Sequence, residues 1–150
     1  MKIEIGDIFE QKTILGLIYI HVIGINPDKI HFVRILDGIF HTRPDNFNNI
    51  LEKKEIFIVQ FYLKLAIKEN LLLKVGNSAD KNYSFPNFVR SVHAVRGIFL
   101  GWHIVNTQTF FRKLVKELSE DQKNLSPEGI WSPYFLNAMI EKHGSLENWI

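Results

Sequence analysis

The strongest constraint on the fold is a long apolar stretch, residues 13–40, that a single tight turn divides into two strands. The turn is Asn26-Pro27-Asp28-Lys29, in which the ring of Pro27 fixes the backbone dihedral that the second turn position requires. In the first strand, large apolar side chains occupy positions of both parities. Because a strand with one solvent face alternates apolar and polar residues, we expect this hairpin at the centre of the core, covered on both faces.

The composition bounds the class of protein. At 150 residues, with 46% hydrophobic and 23% charged residues, the chain is long enough for one globular domain with a sizeable core. It contains no cysteine, which excludes a disulfide framework, a thiolate zinc site and a cysteine nucleophile. The formal net charge is +2, well short of the concentrated positive field of most nucleic-acid-binding proteins.

The chain also lacks the patterns of export and membrane insertion. Acidic Glu4 and Asp7 stand where a signal peptide has a basic region. The longest apolar run, residues 14–25, is interrupted by His21 and is shorter than the roughly 18 to 20 residues of a membrane-spanning helix. We therefore expect a cytoplasmic protein that does not enter a membrane.

Up to residue 107 the patterns are mostly those of strands. A short strand at residues 5–10 precedes the hairpin, and Pro44 followed by apolar residues at helical spacing predicts one short helix near residues 44–51. Apolar residues at the odd positions of residues 57–67 predict a strand with one buried face. Further strands are expected at residues 71–75 and 96–105.

Two helices are predicted after residue 107. The first carries an apolar stripe made of Phe110, Phe111, Leu114, Val115 and Leu118. The second has Ser132 as its N-cap, Pro133 at its first position and Gly144 after its end. The expected fold class is therefore α+β: an antiparallel, strongly twisted sheet or small half-barrel, with a short central helix and two C-terminal helices. We expect one domain, residues 1–150, mostly β over 1–107 and helical over 108–150.

The sequence offers no clear set of catalytic or metal-binding groups. It has six histidines, but none at the spacing of a helical zinc motif, and no phosphate-binding loop or nucleophile elbow. Three alternatives stay open, of which one is a structural or assembly subunit that forms a stable homo-oligomer. His41 with Asp37 or Asp45 would suit a small hydrolase, and the basic residues near Phe88 would suit a small RNA-binding module. We expect a protein that is not an enzyme, with no cofactor, no metal and no nucleic-acid partner.

Three short motifs together resemble the immunity protein 26 family. They are Ile5-Gly6-Asp7-Ile8-Phe9, then Leu73-Lys74-Val75-Gly76-Asn77, then Phe85-Pro86-Asn87-Phe88. Their order and spacing are similar to the family over roughly the first ninety residues. Members of that family lie beside bacterial polymorphic toxins, and the resemblance implies a protein that binds and neutralises a cognate toxin domain.

An inhibitor of this kind needs a rigid surface that fits its target, and it needs no catalytic residue. Such interfaces bury about 1,600 Å² in total and depend on a few anchoring side chains. The mildly basic balance predicts a neutral to acidic contact surface on the partner. The candidate contact residues are His41, Arg43 and Asp45, which connect the hairpin to the short helix, and Arg90, His93 and Arg96 in the second β zone.

Overall fold

A computed structural model describes residues 2–146 of the chain. This part of the chain contains ten strands and four short helices, and the strands form two mixed sheets, which confirms the α+β class. It divides into two compact units. Unit 1 comprises residues 2–84 and 130–146, and unit 2 comprises residues 85–129. That the whole chain forms one domain stays a prediction.

The elements have the following bounds. In chain order they are β1 (Asp7–Thr13), β2 (Gly16–Ile25), β3 (His31–Ile35), α1 (Asn48–Glu52), β4 (Phe57–Phe61), α2 (Leu63–Lys68), β5 (Leu73–Asn77), β6 (Phe88–Val95), β7 (Ile98–Asn106), β8 (Arg112–Val115), α3 (Glu120–Lys123), β9 (Ser126–Pro127), β10 (Ile130–Trp131) and α4 (Pro133–His143).

The predicted hairpin forms the middle of the sheet of unit 1. The strand order is β10-β4-β3-β2-β1-β5, antiparallel throughout except that β10 runs parallel to β4. One face of β2 contributes Ile18, Ile20 and Val22 to the larger hydrophobic cluster. The other face contributes Tyr19 to a second cluster with Ile8, Leu36 and Ile50. The prediction that the hairpin is covered on both faces is confirmed.

The turn between β2 and β3 is also confirmed. The backbone N–H of Lys29 donates to the carbonyl of Asn26 (2.9 Å), and the side-chain oxygen of Asn26 accepts from the N–H of Ile30 (2.8 Å). Lys29 has a φ of +64°, so the turn places a charged residue in the left-handed region. An asparagine that bonds the backbone ahead of it stabilises such a turn.

Helix α4 begins and ends where the sequence predicts. The hydroxyl of Ser132 accepts from the N–H of Phe135 (3.2 Å), Pro133 opens the helix, and Gly144 ends it with a φ of +70°. Leu136, Met139 and Ile140 pack into the larger cluster of unit 1. The helix thus supplies apolar cover for one face of the sheet.

Two predictions about secondary structure are wrong, and one strand was missed. The strand predicted over residues 57–67 ends at Phe61, and α2 follows, because its residues also fit a helical period and Leu63 and Ala66 become buried. The helix predicted after residue 107 is instead a turn and the strand β8. Strand β6 was not predicted. The short helix is present, but it begins at Asn48, after Pro44.

Unit 2 is a small sheet in the order β8-β7-β6-β9. A two-residue turn joins β6 to β7, and both of its residues have positive φ, +53° at Arg96 and +77° at Gly97. Two consecutive positive φ angles give the turn a twist that matches the right-handed twist of the two paired strands. At Gly101, two backbones approach closely, since an added Cβ would lie 2.5 Å from the carbonyl oxygen of Val115.

We predict that Leu136→Ala lowers the free energy of unfolding by about 3 kcal/mol, because it leaves a cavity in a close-packed core. Leu136 is fully buried. Leu65→Ala is the matched control, since Leu65 is also helical but half exposed, and it should cost well under about 1 kcal/mol. Urea denaturation of both variants checks this, and equal losses would contradict the placement of α4 over the core.

Candidate protein interface

Arg43 forms an ion pair within unit 1. Its guanidinium donates to both carboxylate oxygens of Glu10, at 2.7 and 3.1 Å. Glu10 is 6% exposed, and it also accepts a hydrogen bond from the hydroxyl of Tyr19 (2.9 Å). Strand β1 supplies Glu10 and strand β2 supplies Tyr19, as directly paired residues. The Arg43 side chain therefore ties the segment after β3 to the sheet.

The electrostatics of this cluster follow from the pairing. The hydrogen bond from Arg43 lowers the pKa of Glu10 below its ordinary value, against the opposing effect of burial. Burial and the hydrogen bond to Glu10 raise the pKa of Tyr19. The carboxylate is therefore held ionised and the phenol neutral. About half of the Arg43 side chain stays exposed, so one edge of the guanidinium remains open to a partner.

The other two candidates in this segment, His41 and Asp45, are exposed. No hydrogen bond joins His41 to Asp37 or Asp45 in the described part of the chain. Their exposure is compatible with a contact role, and the structure adds no group that would orient His41 as a general base.

Arg90 is buried in unit 2, where it holds the chain rather than facing solvent. Its guanidinium donates to the carbonyl oxygens of Lys123 (3.1 Å) and Leu125 (3.3 Å) and lies 4.9 Å from the ring centre of Trp102. Burial lowers the pKa of Arg90 to about 10, so the group is still charged at neutral pH. The ring of Phe99 in turn packs edge-on against Trp102, with ring centres 5.8 Å apart. Arg90 therefore positions two aromatic side chains.

His93 and Arg96 lie on the same hairpin as Arg90. The imidazoles of His93 and His103 are joined across β6 and β7, with Nδ1 of His93 2.9 Å from Nε2 of His103. Arg96 is exposed at the β6–β7 turn. Of the six predicted contact residues, the structure brings Arg90, His93 and Arg96 together on one hairpin of unit 2. The three others share one segment of unit 1.

Sequence reasoning missed a cluster of exposed apolar side chains near the turn of the β6–β7 hairpin. They are divided between the two faces of the hairpin, because consecutive strand residues such as Ile98 and Phe99 point to opposite faces. We call this cluster the hairpin patch; its members, each between 45% and 65% exposed, are Val92, Val95, Ile98, Phe99 and Leu100. Phe88, Phe110, Phe111 and Leu114 of unit 2 are likewise exposed. Monomeric proteins seldom leave so many large apolar side chains in contact with water, and such patches mark interaction surfaces.

Unit 2 also has almost no core. Val89 and Val105 are its two buried aliphatic side chains, and neither hydrophobic cluster of the described chain includes a residue from 85–129. A sheet of this size gains little stability without an apolar face packed against something. The apolar residues of unit 2 are thus available for a partner. The signal in the sequence was the pair of apolar runs on either side of Arg96-Gly97.

A second polar cluster lies beside a pocket of about 310 Å³ in unit 1, lined by Asn48, Glu52, Asp80 and Lys81 among others. Arg34, 1% exposed, donates to Nδ1 of His21 (3.1 Å) and to the carbonyls of Leu51 and Lys53. Because Nδ1 accepts, Nε2 carries the proton and donates to the carbonyl of Ser78 (2.8 Å). Both ring nitrogens of His21 are therefore committed to the fold.

Neither a metal centre nor a membrane span is found in the part of the chain described. No three histidine, aspartate or glutamate side chains of residues 2–146 converge as metal ligands would. None of the helices in this range has both the length and the apolar character needed to cross a bilayer. Compared with known proteins, the chain matches no family model, and no curated protein and no solved structure is significantly similar to it.

We predict that stability falls as the pH is lowered from about 7 to about 5. Burial, with a smaller contribution from Arg34, lowers the pKa of His21 below its ordinary value of 6.5, so the unfolded chain binds this proton first. The contribution of His21 to the free energy of unfolding is complete above the ordinary pKa of 6.5. It is lost as the pH falls toward the lower pKa of His21 in the folded state. His21→Gln should flatten this dependence in urea denaturation. His41→Gln, which changes an exposed histidine, should not, and a parallel response of the two variants would contradict the assignment.

We also predict that Arg43→Ala destabilises the protein, because it leaves the buried Glu10 carboxylate without its cation. Adding Glu10→Gln to this variant should recover part of the loss, since no buried charge then remains. A double-mutant cycle by urea denaturation measures the coupling, with Lys12→Ala as the control on the same strand. Additive effects of the two substitutions would show that the pair contributes nothing to stability.

Proposed function

We propose that this protein is a cytoplasmic immunity protein, which binds a cognate bacterial toxin domain through protein–protein contact and thereby neutralises it. The observation that carries the proposal is the hairpin patch, an exposed apolar surface on a unit with almost no core. The resemblance of three sequence motifs to the immunity protein 26 family supplies the class of partner.

The chemistry of the patch favours a protein over a nucleic acid. Four of its five members are aliphatic, namely Val92, Val95, Ile98 and Leu100. Binding of single-stranded nucleic acid relies on aromatic faces for stacking and on a continuous cationic groove. Protein interfaces instead bury a compact apolar centre within a polar rim. An aliphatic patch that is flanked by separate cations, without a continuous cationic groove, corresponds to the second pattern.

The arrangement also explains how such a surface would bind tightly. The Phe99 ring packs against the Trp102 ring, and the Arg90 guanidinium lies over the same Trp102 ring. The aromatic anchor is therefore ordered before binding. An anchor already held in place loses little conformational freedom on association. Inhibition then needs only that the hairpin cover the toxin's active site or block a movement that the toxin requires.

The test is co-expression in a bacterium with the toxin domain that this proposal expects a neighbouring gene to encode. We expect that the domain alone arrests growth and that the wild-type chain restores it. Ile98→Ser should abolish rescue and weaken binding about tenfold or more, because it removes an exposed apolar anchor. Calorimetry on the purified pair measures the affinity.

Ile14→Ser is the matched control. Ile14 is 71% exposed and Ile98 is 65% exposed, and each adjoins a tight turn between two strands. The control variant should rescue growth as the wild type does. A wild-type chain that fails to restore growth, or a neighbouring gene that encodes no such domain, would contradict the proposed function.

A further inference from the structure

The charge of unit 2 is unevenly distributed along its sequence. Residues 85–116, which form the hairpin and β8, contain no aspartate or glutamate, whereas they contain Arg90, Arg96, Arg112, Lys113 and Lys116. All four carboxylates of unit 2 come later, at Glu117, Glu120, Asp121 and Glu128. The apolar patch therefore lies in a segment whose ionised side chains are all positive.

Two of these five cations are used within the unit. Arg90 is buried against backbone carbonyls, and Arg112 forms a two-point ion pair with Glu128, at 2.6 and 2.8 Å. Arg96, Lys113 and Lys116 are exposed, and none of the three forms an ion pair with another described residue. These three charges are the ones that a partner can meet.

Two of the three exposed cations, Arg96 and Lys116, lie next to residues of the patch. Arg96 lies in the turn between Val95 and Ile98. Lys116 lies beside the other end of the patch, because its Cα is 3.4 Å from the position of a Cβ added to Gly101, next to Leu100. Lys113 is paired with Ile104 on the neighbouring strand. The unbound chain thus presents an apolar hairpin with one exposed cation in its turn and a second near Gly101.

We propose that the hairpin patch docks into an apolar depression on a protein whose rim carries carboxylates, which Arg96 and Lys116 face. This inference rests on the proposed function for the docking surface and adds the chemistry of the partner. A second copy of the chain fits poorly, since pairing two such patches would bring like charges together. Three exposed cations, each contributing about 1 kcal/mol at an anionic lipid surface, would give only weak membrane binding.

The test begins with a photo-crosslinking residue, p-benzoylphenylalanine, placed at position 99 of the full chain in living cells of the source organism. Position 135 is the matched control, because Phe135 and Phe99 are about equally exposed. We expect position 99, and not position 135, to crosslink one protein. The purified partner is then titrated against the chain at low and at high salt. The affinity should fall at least tenfold at high salt.

Arg96→Glu should weaken binding of that partner at least tenfold. Lys29→Glu is a closely matched control, because Lys29 is also a cation with positive φ in a hairpin turn, at +64° against +53° for Arg96. It should leave the affinity unchanged. Replacing a carboxylate of the partner's contact surface by lysine should restore binding of Arg96→Glu.

The outcomes separate the two proposals. Several outcomes would overturn the acidic-partner inference. They are crosslinks to RNA, to lipid or to a second copy of the chain, the absence of any crosslink from position 99, and an affinity that changes neither with salt nor with Arg96→Glu. A toxin domain that is neutralised equally well by Arg96→Glu would overturn it while leaving the proposed function in place. An acidic partner that is not a toxin domain would instead overturn the toxin assignment alone.

Discussion

Burial of β2 and β3 on both faces obliges the polar side chains of these strands to satisfy one another. His21 and Arg34 are directly paired across the two strands, and each is nearly inaccessible to water. A buried guanidinium is tolerated only when its donors find acceptors. Here the acceptors are Nδ1 of His21 and the carbonyl oxygens of Leu51, in α1, and Lys53, just after it. Nε of Arg34 forms no hydrogen bond and lies 3.4 Å from the carboxylate of Glu55 in an ion pair. The segments that supply them are thereby fixed around the sheet.

The two units use apolar residues in opposite ways. Unit 1 buries its large side chains in two clusters on either face of one sheet and needs no partner for that burial. Unit 2 leaves most of its large side chains in water, and a few polar contacts such as those of Arg90 hold it together. Because the clusters of unit 1 contain no residue of 85–129, we expect substitutions on the hairpin surface to leave those clusters undisturbed.

Prediction of the secondary structure from the sequence was most accurate where a residue pattern is compatible with only one type of element. Apolar residues at both parities in residues 14–25 allow only a strand covered on two sides, and Ser132, Pro133 and Gly144 mark both ends of α4.

Prediction from the sequence failed where the apolar residues fit both the period of a strand and the period of a helix. Leu63, Leu65 and Ile67 alternate as a strand does, yet Leu63, Ala66 and Ile67 fit a helix, and packing decides between them. The stripe from Phe110 to Leu118 resembled a helix face, although Phe110, Phe111 and Leu114 are all exposed. The surroundings of the predicted contact residues could not be predicted, because their partners are distant in the sequence. Glu10 lies 33 residues from Arg43, and no local pattern reveals their pairing.

The position of unit 2 within the chain has a consequence for the order of events during synthesis. Residues 85–129 are made after the five strands β1–β5 and before α4, whose Leu136 and Ile140 complete the larger cluster. While residues 85–129 are being made, the part of the main sheet that α4 covers is therefore still exposed. That surface and the apolar hairpin are both in contact with water until α4 has formed, so the nascent chain is most prone to aggregation in the interval between the synthesis of the hairpin and that of α4.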